Sequence, residues 1–207
     1  MTRRPRDAEA TRNAILDVAE KLFVTEGFGS TSMARIGQAC GCANSLIVHH
    51  FGSKEGLWNQ VKDRAFAGFV EENQRIFRDQ PVSVAGMRES AEAYFHLLKN
   101  NPQLVQLLQR AEMERDPNRS RMNTRQLDPF VARMREAQEA GILRDDVPAA
   151  HLLLILINVL TRWFEARHLF SGWEALGDGD TDRQFLDSVH KVILEGALTP
   201  TAREGSS

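Results

Sequence analysis

This chain of 207 residues is short of cysteine, with two, and of tyrosine, with one; it also lacks any long apolar run. Each scarcity excludes something. Cys40 and Cys42 stand one residue apart, so they cannot staple distant elements and no disulfide framework holds the fold. The longest uninterrupted apolar run, Leu152 to Ile157, is far shorter than the ~20 residues a membrane helix needs, so no membrane partner is expected. The opening Met1-Thr2-Arg3-Arg4-Pro5-Arg6 is basic but has no apolar segment behind it, which excludes a signal peptide and points to the cytoplasm. No stretch alternates with period two over strand-like lengths. No Ser/His/Asp motif, phosphate loop or dinucleotide fingerprint occurs, so neither an enzyme nor a cofactor is expected.

What is present is helical periodicity. Hydrophobic residues make up 42% and charged residues 26%, the balance of a globular chain that buries a core. The pattern predicts an all-α fold with helices near 7–25, 31–39, 43–49, 54–79, 83–99, 102–115, 121–140, 147–170 and 181–197. Residues 1–54 carry seven Lys/Arg against five Asp/Glu on a chain whose net charge is −2, a weak pointer to a polyanion at that end. The domain expectation is a helix-turn-helix unit over 1–53, a larger helical unit over 54–199 and a frayed tail over 200–207.

The 147–170 helix carries Leu152 to Ile157 all around its axis and must be covered on every side. A second subunit can cover one side. A four-helix homodimer interface is therefore expected from Leu153, Leu156 and Trp163 with Phe185, Leu186, Val189 and Ile193 of the last helix. A wholly intramolecular core helix is the alternative.

From Thr31 to Phe51 the chain reads as short helix, glycine turn, short helix, the architecture of a helix-turn-helix. Ile36, Ala39 and Ile47 are placed to pack the pair together, leaving Asn44, Ser45, His49 and His50 for DNA. Other motifs fail on spacing. Cys40-Gly41-Cys42 invites a metal or redox reading, but zinc loops space their cysteines by two residues, so packing is preferred. Asp178-Gly179-Asp180-Thr181-Asp182 starts like a calcium loop, yet Arg183 and Val189 occupy the positions that need glycine and glutamate. His96, His151, His168 and His190 are isolated, so no metal site is expected.

Ala14-Ile15-Leu16-Asp17-Val18-Ala19-Glu20-Lys21-Leu22-Phe23, then Glu26-Gly27-Phe28, resembles the opening of TetR-family (tetracycline repressor) regulators. Thr31-Ser32-Met33-Ala34-Arg35-Ile36-Gly37-Gln38-Ala39-Cys40-Gly41 follows as their first motif helix, and His49-His50-Phe51-Gly52-Ser53-Lys54-Glu55-Gly56-Leu57 is similar to their closing signature. The likeness is continuous over about residues 10–58.

The resemblance implies roles. Thr31, Ser32 and Arg35 would meet phosphate at the first motif helix, and Asn44 and Ser45 would enter the major groove, followed by His49 and His50. Lys54 would bind phosphate, and Arg3, Arg4 and Arg6 would form an arm along the double-stranded operator. Two positions depart from the family pattern. Ala43 replaces the Ser or Thr that caps the recognition helix, a loss of about 0.5–2 kcal/mol. Val48 replaces a phosphate-touching tyrosine and offers only apolar contact.

The family likeness further implies that the second unit encloses a pocket for a small, mainly hydrophobic effector. Phe66, Met87, Tyr94, Phe95, Met113, Phe130 and Met134 are its candidate lining, with Asn158 and Arg162 as polar orienters. The function expected is a ligand-responsive repressor that binds a palindromic operator as a dimer. Two alternatives stay open: a helical ligand-binding protein whose DNA motif has degraded, and a thiol-based redox-sensing regulator.

Overall fold

The computed structural model describes residues 5–77, 81–113, 127–177 and 179–201, the side chains of 5–7 and 111–113 excepted. Nine α-helices of eight residues or more order the described chain: α1 Pro5–Glu26, α2 Met33–Cys40, α3 Asn44–Phe51, α4 Lys54–Ile76, α5 Val84–Asn100, α6 Pro102–Met113, α7 Asp128–Glu139, α8 Ala149–Ala166 and α9 Thr181–Val189. Among the described residues there is no β-strand, only an isolated antiparallel bridge between Leu143 and Leu198. The fold is all-α, as the periodicity predicts.

Two expected helices differ in their course. The one read over 147–170 ends as α-helix at Ala166 and tightens into a 3-10 turn, Arg167–Phe170. The one read over 181–197 gives way to a π-helical turn at His190–Leu194 before a last turn, Glu195–Ala197.

The chain divides into two compact units, Met1–Ala67 with Gln103–Met122, and Gly68–Pro102 with Asn123–Ser207. The first is built on an apolar cluster in which α1 supplies Ile15, Leu16, Ala19, Leu22 and Phe23, α2 Ile36, and α3 Ile47 and Phe51. The rings of Phe23, Phe28 and Trp58 pack edge and face, with centroids 5.0–5.6 Å apart. Leu107 of α6 is buried in the same cluster. Arg64 of α4 pairs with Asp17 at 2.6 Å and Glu20 at 2.5 Å of α1, fixing the two helices along their polar edge.

In the second unit α8 is the central element. Ala149–Phe170 has the length and apolarity of a membrane span, but Leu153, Leu156, Leu160, Trp163 and Phe164 are buried within the unit. Trp163 donates its indole N–H to Asp182 at 2.9 Å and stacks on Phe185 at 4.2 Å. Burial pushes the Asp182 carboxyl up, but Arg167 at 2.5 Å, Trp163 and Lys99 more than offset it, leaving the group below its ordinary value. Asp182 is thus a buried anchor, and Asp180 caps α9, accepting from the Arg183 N–H at 3.2 Å.

Candidate functional site

The first unit presents a helix-turn-helix. Ser32 caps α2 by accepting the Arg35 backbone N–H at 3.0 Å. Gly41 ends α2 in the left-handed region with φ 66°, and the Cys42 N–H returns to the Gly37 carbonyl at 3.0 Å. Helix α3 starts at Ala43 with no side-chain cap, as the sequence predicts. Ile36 and Ile47 are buried between the two helices, but Ala39 is exposed; close approach is made at the buried Gly37, where the Cys42 carbonyl would meet a Cβ at 2.9 Å. Cys40 and Cys42 are joined by a disulfide across this turn.

Asn44, Ser45, Val48 and His49 lie exposed on one face of α3, opposite Ile47 and Phe51. No described hydrogen bond engages Asn44 or Ser45 through its side chain, and Val48 leaves 45% of its surface open. His50 is half-buried, its ring 6.0 Å from that of Phe51. Such a face, polar with one apolar spot on a helix narrow enough for the major groove, suits base edges.

Three residues assigned to phosphate are occupied otherwise. Thr31 is fully buried, and its hydroxyl donates to the Gly27 carbonyl at 2.7 Å. Lys54 extends its ammonium to the carbonyls of Phe28 at 2.6 Å and Thr31 at 2.7 Å, lying 4.3 Å from the Phe28 ring centre. It ties the start of α4 to the loop before α2. Arg35 is exposed and pairs with Glu26 at 3.0 Å. Arg4 and the side chain of Arg6 lie outside the described residues.

This geometry agrees with comparison to known proteins. A family model described as bacterial regulatory proteins, tetR family, matches residues 15–61, and one described as tetracyclin repressor-like, C-terminal domain, matches 87–191. The HTH-type transcriptional regulator UidR of Escherichia coli K12 is 30% identical over 167 residues, covering 74% of this chain and 79% of that one. The chain belongs to the TetR family.

The HTH-type transcriptional repressor NicS of Pseudomonas putida is 26% identical over 201 residues, covering 93% of this chain and 95% of that one. Among solved structures, a TetR-family regulator from Haemophilus influenzae matches with a TM-score of 0.69 at 18% identity, covering 95% of this chain and all of the other, which shows the shared fold. As a TetR-family member the protein is a ligand-responsive, DNA-binding transcriptional regulator and not an enzyme.

The second unit of this TetR-family chain contains a largely apolar cavity. Phe69, Phe77, Met87, Tyr94, Phe130 and Met134 line it together with Leu153, Leu156 and Leu160 of α8. Ser90 and Arg133 are its polar lining besides Tyr94. The Tyr94 hydroxyl lies 2.8 Å from Thr161 Oγ1, and burial, slightly relieved by that bond, pushes its pKa up to about 12, so it stays neutral. The space is about 40 Å³, but Met87, Met134 and Leu156 also wall a neighbouring groove of about 240 Å³.

Met87, Tyr94, Phe130 and Met134, candidates for the effector pocket, are among the residues that line this cavity. Four other candidates do not line the cavity. Phe95 is buried against Phe164 at 4.8 Å, and Phe66 is absent from the wall. Asn158 is exposed and donates to the Leu154 carbonyl at 2.7 Å, while exposed Arg162 pairs with Glu165 at 3.3 Å. The side chain of Met113 lies outside the described residues. Of the other lining residues, Phe69 and Phe77 belong to the same set of large apolar residues of the middle helices from which a pocket is expected, whereas Arg133 carries no signal that distinguishes it from an ordinary surface cation.

The residues assigned to the dimer interface have contacts within the chain. Leu153 and Leu156 wall the cavity, Leu186 and Val189 are buried within the unit, Phe185 stacks on Trp163, and Ile193 walls the groove. Apolar side chains left open on α8 and the π-turn are Leu154, Ile155 and Val192, with Val192 75% exposed.

Proposed function

We propose that this protein represses transcription as a homodimer whose two α3 helices read a palindromic operator, and that a small, mainly hydrophobic effector controls it from the cavity of the second unit. The observation that carries the reading is the exposed α3 face of Asn44, Ser45, Val48 and His49, whose amide and hydroxyl side chains make no hydrogen bond among the described residues. In a dimer the two helices would stand about 34–36 Å apart to enter successive major grooves. Leu154, Ile155 and Val192 supply an apolar surface for a second copy. The site of action is the cytoplasm, where the operator is.

The effector class follows from the cavity lining: aromatic and aliphatic walls, with a neutral hydroxyl at Tyr94 and a cation at Arg133 to orient a polar substituent. Helix α4 carries Lys54 at its start and cavity-lining Phe69 further along, so a ligand that favours one setting of α4 would bias the position of the reading head. Such a bias needs differential affinity for two states, typically about 1–3 kcal/mol.

The test is selection of randomised duplex DNA by the purified protein, followed by sequencing. A palindromic site should emerge, and Asn44→Ala should weaken binding to it by about 1–3 kcal/mol while relaxing preference at one position per half-site. If no sequence is enriched even at low salt, DNA binding fails and the ligand-binding reading replaces it.

A further inference from the structure

The two cysteines occupy a mechanically sensitive point. Cys40 is the last residue of α2, Gly41 turns the chain in the left-handed region, and Cys42 returns its N–H to Gly37. The next residue, Ala43, begins the recognition helix without any side-chain cap. Two backbone bonds to its carbonyl, from Leu46 at 2.9 Å and Ile47 at 3.4 Å, are the local hold on that start. The Cys40–Cys42 disulfide adds a covalent one, across a Cα separation of 5.5 Å. Both residues pack against the core of the first unit yet are only half-buried.

We propose that Cys40 and Cys42 are a thiol–disulfide exchange site that sets operator affinity, with the closed pair holding the start of α3 in its DNA-reading position. The proposal rests on the regulator reading above. A protein that acts on a bacterial chromosome works where thiols are kept reduced, and a disulfide formed there is a transient, signalling one. The co-reactant is a low-molecular-weight disulfide of the glutathione type. One cysteine thiolate attacks a sulfur of that disulfide and expels one small thiol. The second cysteine thiolate then attacks the protein sulfur of the mixed disulfide and expels the other. Two cysteine thiols are oxidised, one small disulfide is reduced to two small thiols, and the two cysteine protons leave with them.

In the reduced state the sulfurs separate to van der Waals contact. The turn between α2 and α3 then loses its covalent clamp at the position where this sequence also lacks a cap. Since Gly37 allows no slack against the Cys42 carbonyl, movement of Cys42 is passed on to the packing of α2 against α3. The oxidised protein is therefore the tighter operator binder.

The experiment titrates the full-length protein with reduced and oxidised glutathione and reads two quantities at each poise. Alkylation and mass spectrometry count free thiols, and fluorescence anisotropy gives affinity for the selected duplex. The expected result is a loss of at least about fivefold in affinity that tracks the appearance of two free thiols. The double variant Cys40→Ser with Cys42→Ser, checked for folding by circular dichroism, should hold the weak value at every poise. Equal wild-type affinity at both ends of the titration, or two free thiols at every poise, overturns the switch and leaves the regulator reading standing. No duplex bound at either end overturns both.

Discussion

At Gly37 a Cβ would sit 3.6 Å from Ile47 Cδ1, an ordinary contact, but 2.9 Å from the Cys42 carbonyl oxygen, a backbone atom that cannot turn aside as a side chain can. Gly37→Ala is expected to lower stability by about 1–3 kcal/mol through overpacking, seen as a lower Tm, and to abolish operator binding before it abolishes folding. His190 gives a second expectation at this scale. Its imidazole is buried, with Nε2 lacking a hydrogen-bond partner among the described residues. Burial holds its pKa below the ordinary 6.5, Arg88 acts in the same direction, and Glu92, Asp187 and Glu195 oppose. The unfolded chain therefore takes up a proton more readily than the folded one. The stability held above pH 6.5 should fall as pH drops through 6.5 toward the lowered folded value. Melting curves between about pH 7.5 and 5.5 should show a smaller pH dependence in His190→Leu than in the parent; an unchanged slope would clear His190 of the effect. Single polar residues were also where sequence said least. Thr31 and Lys54 have the composition of DNA contacts, but a hydroxyl that serves a loop carbonyl and one that awaits a phosphate are spelled alike.

At the scale of elements, α2, α3 and the glycine turn between them were readable because each boundary has a local cause: a capping hydroxyl at Thr31 or Ser32, of which Ser32 is the cap, Gly41 in the left-handed region, and apolar Ile36 and Ile47 at facing positions. Helix α8 was readable as a helix but not as to orientation. Its apolar residues surround the axis, so periodicity could not tell the side of Leu153 and Leu156, which faces the cavity, from the side of Leu154 and Ile155, which faces outward. The π-turn at His190–Leu194 leaves no trace in the sequence pattern either; it departs from the α-helical period on which the stripe of α9 was drawn. Tyr94 connects α5 to α8 through Thr161. Tyr94→Phe should cost about 1 kcal/mol of stability, because the Thr161 hydroxyl loses its partner, while operator affinity stays within twofold of the parent. A parallel loss of both would show that the cavity and the reading head do not act separately.

At the scale of the whole molecule, the open apolar positions on α8 and the π-turn bear on assembly. Ile155→Glu introduces a charge into the surface proposed to meet a second copy, and should shift the protein toward monomer in analytical ultracentrifugation with its circular dichroism unchanged. Operator binding should fall in the same variant, because one half-site alone gives up the paired contacts. A dimer that survives Ile155→Glu places its interface elsewhere. The division of the chain bears on a different matter, how such proteins recombine. The reading unit draws Leu107 from a helix that follows the whole of α5 in sequence, so it is not one continuous stretch of chain. A hybrid regulator joined at residue 67 would carry the recognition helix of one parent and the α6 of the other, leaving a mismatch in the apolar cluster that Leu107 joins. Exchange of sensing parts between relatives, by evolution or by design, therefore has three seams, at 67/68, 102/103 and 122/123, and a transplant succeeds only when all are cut together.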